Sequence, residues 1–169
     1  IVALMNEKAA TLGLAATHFV DVHGLSEHNV STAAEAARLF DEALTYPDIQ
    51  DALSREGATI AMVGQGGAVR EHAFRHTNVL LQSWQQFATE ASKTGFLYEA
   101  GDCLVMRIRD PQSGERFTIV TLGEPRPTVA RYFRAARVVA ERIVRAPTAL
   151  LASARSERTF LPLSSYSVA

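Results

Sequence analysis

The sequence is poor in several features that would assign it to a class of protein. It has a single cysteine, Cys103, which excludes an intramolecular disulfide and any zinc or redox site built on a Cys-x-x-Cys pair. Its ten glycines and six prolines are too few for a fibrous or disordered chain. No apolar run approaches the roughly 18 residues of a membrane span. Lysine occurs only as Lys8 and Lys93, so any chemistry that requires a lysine has only these candidates.

The charge balance and the size of the chain argue for one ordinary domain. The 17 basic and 18 acidic residues leave a net charge of -1, which argues against a nucleic-acid partner. Eight arginines between Arg126 and Arg158 could form a basic face, but they are more typical of the solvated side of an amphipathic helix. With 169 residues, 47% of them apolar, the chain can bury a core. We expect a folded part at residues 1–147 and a Ser-rich tail at 148–169.

Apolar residues at helical spacing predict helices in the first third of the chain. Residues 2–12 carry an apolar face that predicts a first helix. Thr32 and Glu35 have the spacing of a capping box, in which each side chain satisfies a backbone N–H of the first turn. A second helix is therefore expected from Thr32 until the Tyr-Pro pair at 46 and 47 ends it. Residues 48–53 are expected to add a short helical turn.

The remainder of the chain alternates like antiparallel strands before one last helix. The period changes at Thr59, where two apolar runs flank the glycine-rich sequence GQGG and predict a hairpin rather than a phosphate loop. We expect a loop at 78–84, strands at 90–97, 103–109 and 116–122, a break at 123–127, and a helix at 128–145. Helices followed by antiparallel strands indicate an α+β fold, with helices packed on an antiparallel sheet.

Ser92-Lys93-Thr94-Gly95 is the stretch whose chemistry is most informative. On a strand, the lysine offers a positive charge to a carboxylate, and the threonine hydroxyl can hydrogen-bond the same group. The glycine lets the backbone of a ligand lie close to the strand. By itself the tripeptide Lys-Thr-Gly is weak, because short motifs recur by chance, and an ordinary edge strand with an exposed lysine is the simpler interpretation.

The surrounding sequence changes that interpretation. SKTGFLYEAGDCLVM resembles the third active-site box and the following strand of penicillin-binding proteins, and more narrowly of the low-molecular-mass serine DD-peptidases. The upstream run MNEKAATLGLAATHFVDVHGLSEHNVSTAAEAARLF is similar to the corresponding stretch of that family. Within that family, the residues of these two stretches are most similar to those of the D-alanyl-D-alanine endopeptidase group. The resemblance covers about residues 4–145 and implies the C-terminal portion of the penicillin-binding/β-lactamase-like fold, so that residues 1–147 are part of a catalytic domain.

The resemblance also implies roles for individual residues. The implied substrate-binding residues are Ser92, Lys93, Thr94 and Gly95, with Lys93 and Thr94 on the carboxylate of a terminal D-residue or of a β-lactam. Lys93 is also implied to be catalytic, together with the backbone N–H of Phe96 as one oxyanion donor. Ser92 is expected to be structural rather than nucleophilic, because no second lysine or histidine is placed in the sequence to activate it.

Two boxes that the family requires do not occur in this sequence. Neither Ser-x-x-Lys, which carries the nucleophile, nor Ser-x-Asn is present. We therefore expect no nucleophile in this chain and a partner segment upstream that supplies both boxes. The resemblance implies an acyl-enzyme peptidase that cleaves peptidoglycan and is inhibited by β-lactams. The alternative is a non-catalytic fragment or subunit that binds peptidoglycan or a partner without cleaving. Alone, the chain is expected to aggregate or to bind its missing half, because it would expose a sheet edge.

The remaining candidates point to structural roles. His18, His23 and His28 recur every five residues, whereas zinc ligands on a helix prefer a spacing of four, so no metal site is expected. His72 and His76 are expected at the surface or in a loop. Cys103 is expected to be a small buried residue. No cofactor is needed by the implied chemistry, and the implied location is the periplasm or the cell wall.

Overall fold

The computed structural model describes residues 1–83, 87–125 and 133–145. Three helices come first: α1 at Val2–Thr11, α2 at Ala33–Ala43 and α3 at Pro47–Ser54. The predicted positions of α1 and α2 are confirmed. Pro47 opens α3 rather than only ending α2, because a first helical residue needs no backbone N–H. The short turn expected at 48–53 is thus an eight-residue helix.

The start of α2 confirms half of the predicted capping box. The Thr32 hydroxyl accepts a hydrogen bond from the backbone N–H of Glu35 at 3.2 Å. The reciprocal half is wrong, because the Glu35 carboxylate accepts from the backbone N–H of Ala16 at 3.0 Å and from the Thr17 hydroxyl at 2.6 Å. These bonds lower the pKa of Glu35, that from Thr17 being the main cause. Glu35 therefore fastens the preceding loop to α2 instead of closing the helix on itself.

Two strands, β1 at Gly57–Val63 and β2 at Val69–Arg75, form the predicted hairpin. They pair antiparallel from Gly57 with Arg75 to Val63 with Val69. The glycine-rich sequence makes the turn, where Gly66 has a φ of 82° that favours glycine. After the hairpin, the expected loop at 78–84 is wrong in part, because Leu80–Ser83 forms a short helix, α4, that Asn78 caps.

The second sheet contains β3 at Ala88–Leu97, β4 at Gly101–Arg109 and β5 at Arg116–Glu124, paired antiparallel in that order. All three predicted strands are confirmed. β5 continues through the break expected at Gly123, which adopts a positive φ of 72° within the strand. A last helix, α5, spans Arg134–Arg145. The start of the helix expected at 128 and the tail at 148–169 lie outside the described residues.

The β3–β4–β5 sheet is covered on both faces. One face carries Leu104, Met106 and Ile108 of β4, all at most 1% exposed, and packs against Ala136 and Ala140 of α5. The opposite face packs against the first helices, in a second cluster formed by Phe40, Leu44, Leu53, Ala91 and Val105. The α+β class and the packing of helices on an antiparallel sheet are therefore confirmed.

Two smaller findings complete the fold. Cys103 is half-buried rather than buried, because it lies near the start of β4, on the face that the first helices cover only in part. None of the helices in the described ranges has both the length and the apolar character needed to cross a membrane.

Candidate active-site strand

The Lys-Thr-Gly sequence lies in the middle of β3, where residues alternate between the two faces of the sheet. Lys93 and Gly95 are exposed, Thr94 is half-buried, and Ser92 is completely buried. In the sheet register, Lys93 is opposite Val105 and Gly95 is opposite Cys103. The fold therefore presents the lysine, the threonine and the glycine to a ligand but keeps the serine in the core.

β3 pairs with β4 on one side only, so within the described residues it forms an edge of its sheet. The carbonyl of Ser92 accepts from the His76 ring, and the carbonyl of Thr94 accepts from the Lys93 ammonium. Both carbonyls therefore point away from β4. Backbone direction repeats every second residue in a strand, so the N–H of Phe96 points to the same side. Such an edge can add an extended peptide as a further strand.

No residue in the described part of the chain packs closely enough to require glycine at position 95. Among the described residues, a Cβ added there would meet only the Cβ of Cys103 at 3.9 Å, an ordinary van der Waals distance. Gly101 differs, because an added Cβ would lie 2.8 Å from the backbone oxygen of Glu124. Packing among the described residues therefore does not account for the absence of a side chain at Gly95.

A segment at residues 76–78, between the hairpin and α4, lies along this part of β3. The His76 ring contacts Ser92, and Asn78 donates from Nδ2 to the Ser92 hydroxyl at 3.1 Å. The Thr77 and Thr94 hydroxyls are also hydrogen-bonded to each other. Thr77 thus places a second hydroxyl beside the threonine of the motif. Little in the sequence indicates this segment: its only signal is the polar run His-Thr-Asn, in which His76 was expected at the surface or in a loop and Asn78 at the start of the loop expected at 78–84.

The surroundings of Ser92 show that one expectation from the sequence is wrong. We expected no histidine near it, but His76 Nε2 lies 3.3 Å from the Ser92 hydroxyl. The pair nevertheless lacks access for a substrate, since the exposed fraction of Ser92 is 0%. Its hydroxyl accepts from Asn78 inside the core, and this contact fits the structural role that we expected. As a substrate-binding residue, Ser92 can contribute only through its backbone.

The two lysines of the chain have different electrostatic surroundings. The Lys8 ammonium forms a 2.6 Å ion pair with Glu42 and also contacts the Tyr46 hydroxyl. The hydrogen bond to Glu42 is the main cause that raises the pKa of Lys8. Lys93 forms no ion pair with any residue in the described ranges, and its ammonium donates a hydrogen bond to the backbone carbonyl of Thr94 on the same strand. Its positive charge is therefore available to an anionic ligand.

Two of the other histidines, His18 and His23, lie in the first part of the chain, and no metal-binding group occurs among the described residues. Across residues 1–83, 87–125 and 133–145, no three His, Cys, Asp or Glu side chains form a group that could hold a metal ion. His18 pairs with Val30 in an isolated bridge. His23 lies 3.4 Å from Asp21. Burial raises the pKa of Asp21, but hydrogen bonds from Asn29 and backbone N–H groups outweigh it and lower the value to about 2.

Comparison with known proteins identifies the family of this chain. The family model for D-alanyl-D-alanine carboxypeptidase matches residues 1–126. The chain belongs to this family. D-alanyl-D-alanine endopeptidase of Pseudomonas aeruginosa is 39% identical over 106 residues, which cover 63% of this chain and 33% of the relative. The enzyme of the same name from Escherichia coli is 41% identical over 106 residues, 61% of this chain and 32% of the relative. The chain thus spans about a third of the length of the curated relatives it matches.

Solved structures give the same assignment. The Streptomyces K15 DD-transpeptidase superposes with a TM-score of 0.66 at 26% identity, covering 74% of this chain and 47% of that protein. Its R248L mutant gives a TM-score of 0.70 at 25% identity, covering 82% and 52%. D-alanyl-D-alanine carboxypeptidase from Mycobacterium tuberculosis gives 0.60 at 26% identity, covering 74% and 46%. The fold is therefore that of the penicillin-binding DD-peptidases, and the resemblance to low-molecular-mass penicillin-binding proteins is confirmed.

Proposed function

We propose that this chain supplies the substrate-binding strand of a serine D-alanyl-D-alanine peptidase that cleaves peptidoglycan peptides. The observation that carries the proposal is the β3 edge. There a lysine without an ion pair among the described residues, a threonine hydroxyl and a glycine that those residues do not require for packing occur in succession. Membership of the D-alanyl-D-alanine carboxypeptidase family supports the same activity.

The side chains on β3 fit a substrate that ends in a carboxylate. Lys93 would pair its ammonium with that carboxylate, and Thr94 would donate its hydroxyl hydrogen to the same group. To do so, the Lys93 ammonium leaves the Thr94 carbonyl and the Thr94 hydroxyl exchanges Thr77 for the ligand. The peptide would extend past Gly95, where no side chain blocks the edge. A peptide ending in D-Ala and the carboxylate of a β-lactam share this chemistry.

The nucleophile in this proposal comes from an upstream segment that carries Ser-x-x-Lys and Ser-x-Asn. The serine oxygen attacks the D-Ala carbonyl carbon as its hydroxyl gives up a proton, and the backbone N–H groups of Phe96 and of the serine stabilise the oxyanion. The C–N bond then breaks, the proton released by the serine is passed to the leaving amine, and an acyl-enzyme remains. Water hydrolyses that ester and restores the serine. The reaction would take place in the periplasm or at the cell wall, where cross-linked peptidoglycan is found.

Intact mass spectrometry before and after incubation with a penicillin tests this proposal. The protein would carry this chain joined to the Ser-x-x-Lys segment. We expect a gain equal to the mass of the drug, which peptide mapping places on the upstream serine. An adduct on Ser92 would instead contradict the assignment of the nucleophile. A protein that binds peptidoglycan but forms no adduct would support the non-catalytic alternative.

A further inference from the structure

The imidazole of His76 is held at both of its ring nitrogens. Nδ1 accepts a hydrogen bond from the backbone N–H of Asn78 at 3.0 Å, and Nε2 lies 3.0 Å from the carbonyl oxygen of Ser92. An N–H partner on one side and a carbonyl partner on the other fix the tautomer, because Nδ1 must lack the hydrogen and Nε2 must carry it. The Nε2–H group is therefore directed at the edge of β3.

The neighbours of His76 leave its ring little freedom to move. Its backbone N–H donates to the carbonyl of Glu56 at 2.8 Å, which ties it to the base of the hairpin. Asn78 donates to the Ser92 hydroxyl and accepts from the backbone N–H of Leu80 at 3.0 Å. Ser92 and Asn78 are 0% and 1% exposed. A buried network whose members are all bonded is rigid, and breaking one bond leaves its partner unsatisfied.

This network acts on the peptide group that leads into Lys93. The carbonyl of Ser92 and the N–H of Lys93 belong to one planar unit, so a bond to the carbonyl orients both. Thr94 is the next residue whose backbone points to the same edge, and its hydroxyl contacts Thr77, the neighbour of His76. A change at the Ser92 carbonyl therefore moves the two residues that would hold the substrate carboxylate.

We propose that His76 is a positioning residue for the reaction, acting through its Nε2–H bond to the Ser92 carbonyl. This inference rests on the proposed function and assigns a role to a residue outside the Lys-Thr-Gly sequence. It makes the 76–78 segment part of the substrate site rather than a connection between the hairpin and α4.

Two substitutions at His76 separate this role from a general structural one. H76Q retains an N–H donor near the position of Nε2, whereas H76N retains an acceptor near the position of Nδ1. Both are made in the protein that carries this chain joined to the Ser-x-x-Lys segment. If the bond to Ser92 positions the strand, H76N slows acylation by a penicillin about tenfold and H76Q stays within about threefold of wild type, since small misplacements are costly in rate. For a D-Ala-D-Ala peptide, H76N is expected to lower kcat as well as to raise KM.

The control and the outcomes keep the two proposals apart. H72N makes the same chemical change at an exposed residue of β2 and is expected to leave acylation unchanged. If penicillin acylates the wild type and H76N at the same rate, the role of His76 is wrong but the proposed function stands. The same conclusion follows if folded H76Q loses as much activity as H76N. If H76N does not fold, H76M takes its place under the same criterion, because methionine has a side chain about as long as that of glutamine but lacks the N–H donor. A wild-type protein that no penicillin acylates would remove the proposed function, and this inference with it.

Discussion

The β1–β2 hairpin and the β3–β4–β5 sheet are both antiparallel and both alternate in sequence, but only the sheet forms a core. In the hairpin every residue except the half-buried Ala58 is exposed, including Ile60, Met62 and Phe74. In β4, buried and half-buried residues alternate from Gly101 to Ile108. The difference comes from a second layer, because helices cover both faces of the sheet. Alternation therefore predicts strand pairing, whereas burial depends on elements distant in the sequence.

A pair of matched methionines gives the largest expected contrast between the two regions. Met106 lies in β4 with an exposed fraction of 0%, and Met62 lies in β1 with 52%. M106A should lower the free energy of unfolding by about 2–5 kcal/mol, because it opens a cavity in a packed core. M62A should change it by less than about 0.5 kcal/mol. Chemical denaturation of both variants in the same background measures the difference, and equal losses would contradict the contrast.

Two glycines with positive φ provide the next contrast. Gly66 in the hairpin turn has a φ of 82°, and no atom of the described residues lies within 4 Å of an added Cβ. Gly101 has a φ of 68° and would place a Cβ 2.8 Å from the backbone oxygen of Glu124. G66A should cost about 1 kcal/mol through backbone strain alone. G101A should cost about 3 kcal/mol, because the clash adds to that strain. A thermal unfolding midpoint lowered more by G66A than by G101A would refute this account.

The turns of the two regions should also respond differently to acid. The β4–β5 turn is held by Asp110, which accepts from the Ser113 hydroxyl at 2.7 Å and from the backbone N–H of Gln112 at 3.0 Å. The bond from Ser113 is the main cause that lowers the pKa of Asp110 below its ordinary 3.8. The stabilisation is complete above that value and is lost as the pH falls through the lower folded-state pKa.

Amide exchange, corrected for intrinsic rates, measures this smallest effect. The Gly114 N–H, which donates to the Asp110 carbonyl at 2.8 Å, should lose protection below the ordinary pKa of 3.8. The Gly67 N–H in the hairpin turn should show no such step, because that turn is formed by Gly-Gln-Gly-Gly and contains no carboxylate to be protonated. D110N serves as the control and should abolish the pH dependence. Parallel loss of protection in both turns would indicate general acid unfolding instead.

Local sequence signals predicted most of the elements but not their surroundings. The strands, the hairpin and the Thr32 cap follow from alternation, turn glycines and capping chemistry, which act over a few residues. The redirection of Glu35 to Ala16 and Thr17 could not be predicted in this way, since it depends on where the preceding loop lies. The half-burial of Cys103 likewise depends on how far the covering helices extend.

The candidate site shows the same division. The Lys-Thr-Gly sequence and its resemblance to penicillin-binding proteins identified the strand. The contacts of His76 and Asn78 with Ser92 join residues 16 and 14 positions apart, respectively, and no local sequence pattern predicts them. The burial of Ser92 was similarly invisible, because the face of β3 that packs against the core is set by the register with β4.

The most direct test of the substrate-binding strand compares the two lysines of the chain. In a protein that carries this chain joined to a Ser-x-x-Lys segment, the second-order rate of acylation by a labelled penicillin is measured for K93M and K8M. Each substitution removes one positive charge and keeps an apolar stem of similar length. We predict that K93M lowers the rate about a hundredfold, because a positive charge that faces the carboxylate is lost. K8M should leave it unchanged, because Lys8 is paired with Glu42. Equal rates for K93M and wild type would contradict the assignment of β3 as the substrate-binding strand.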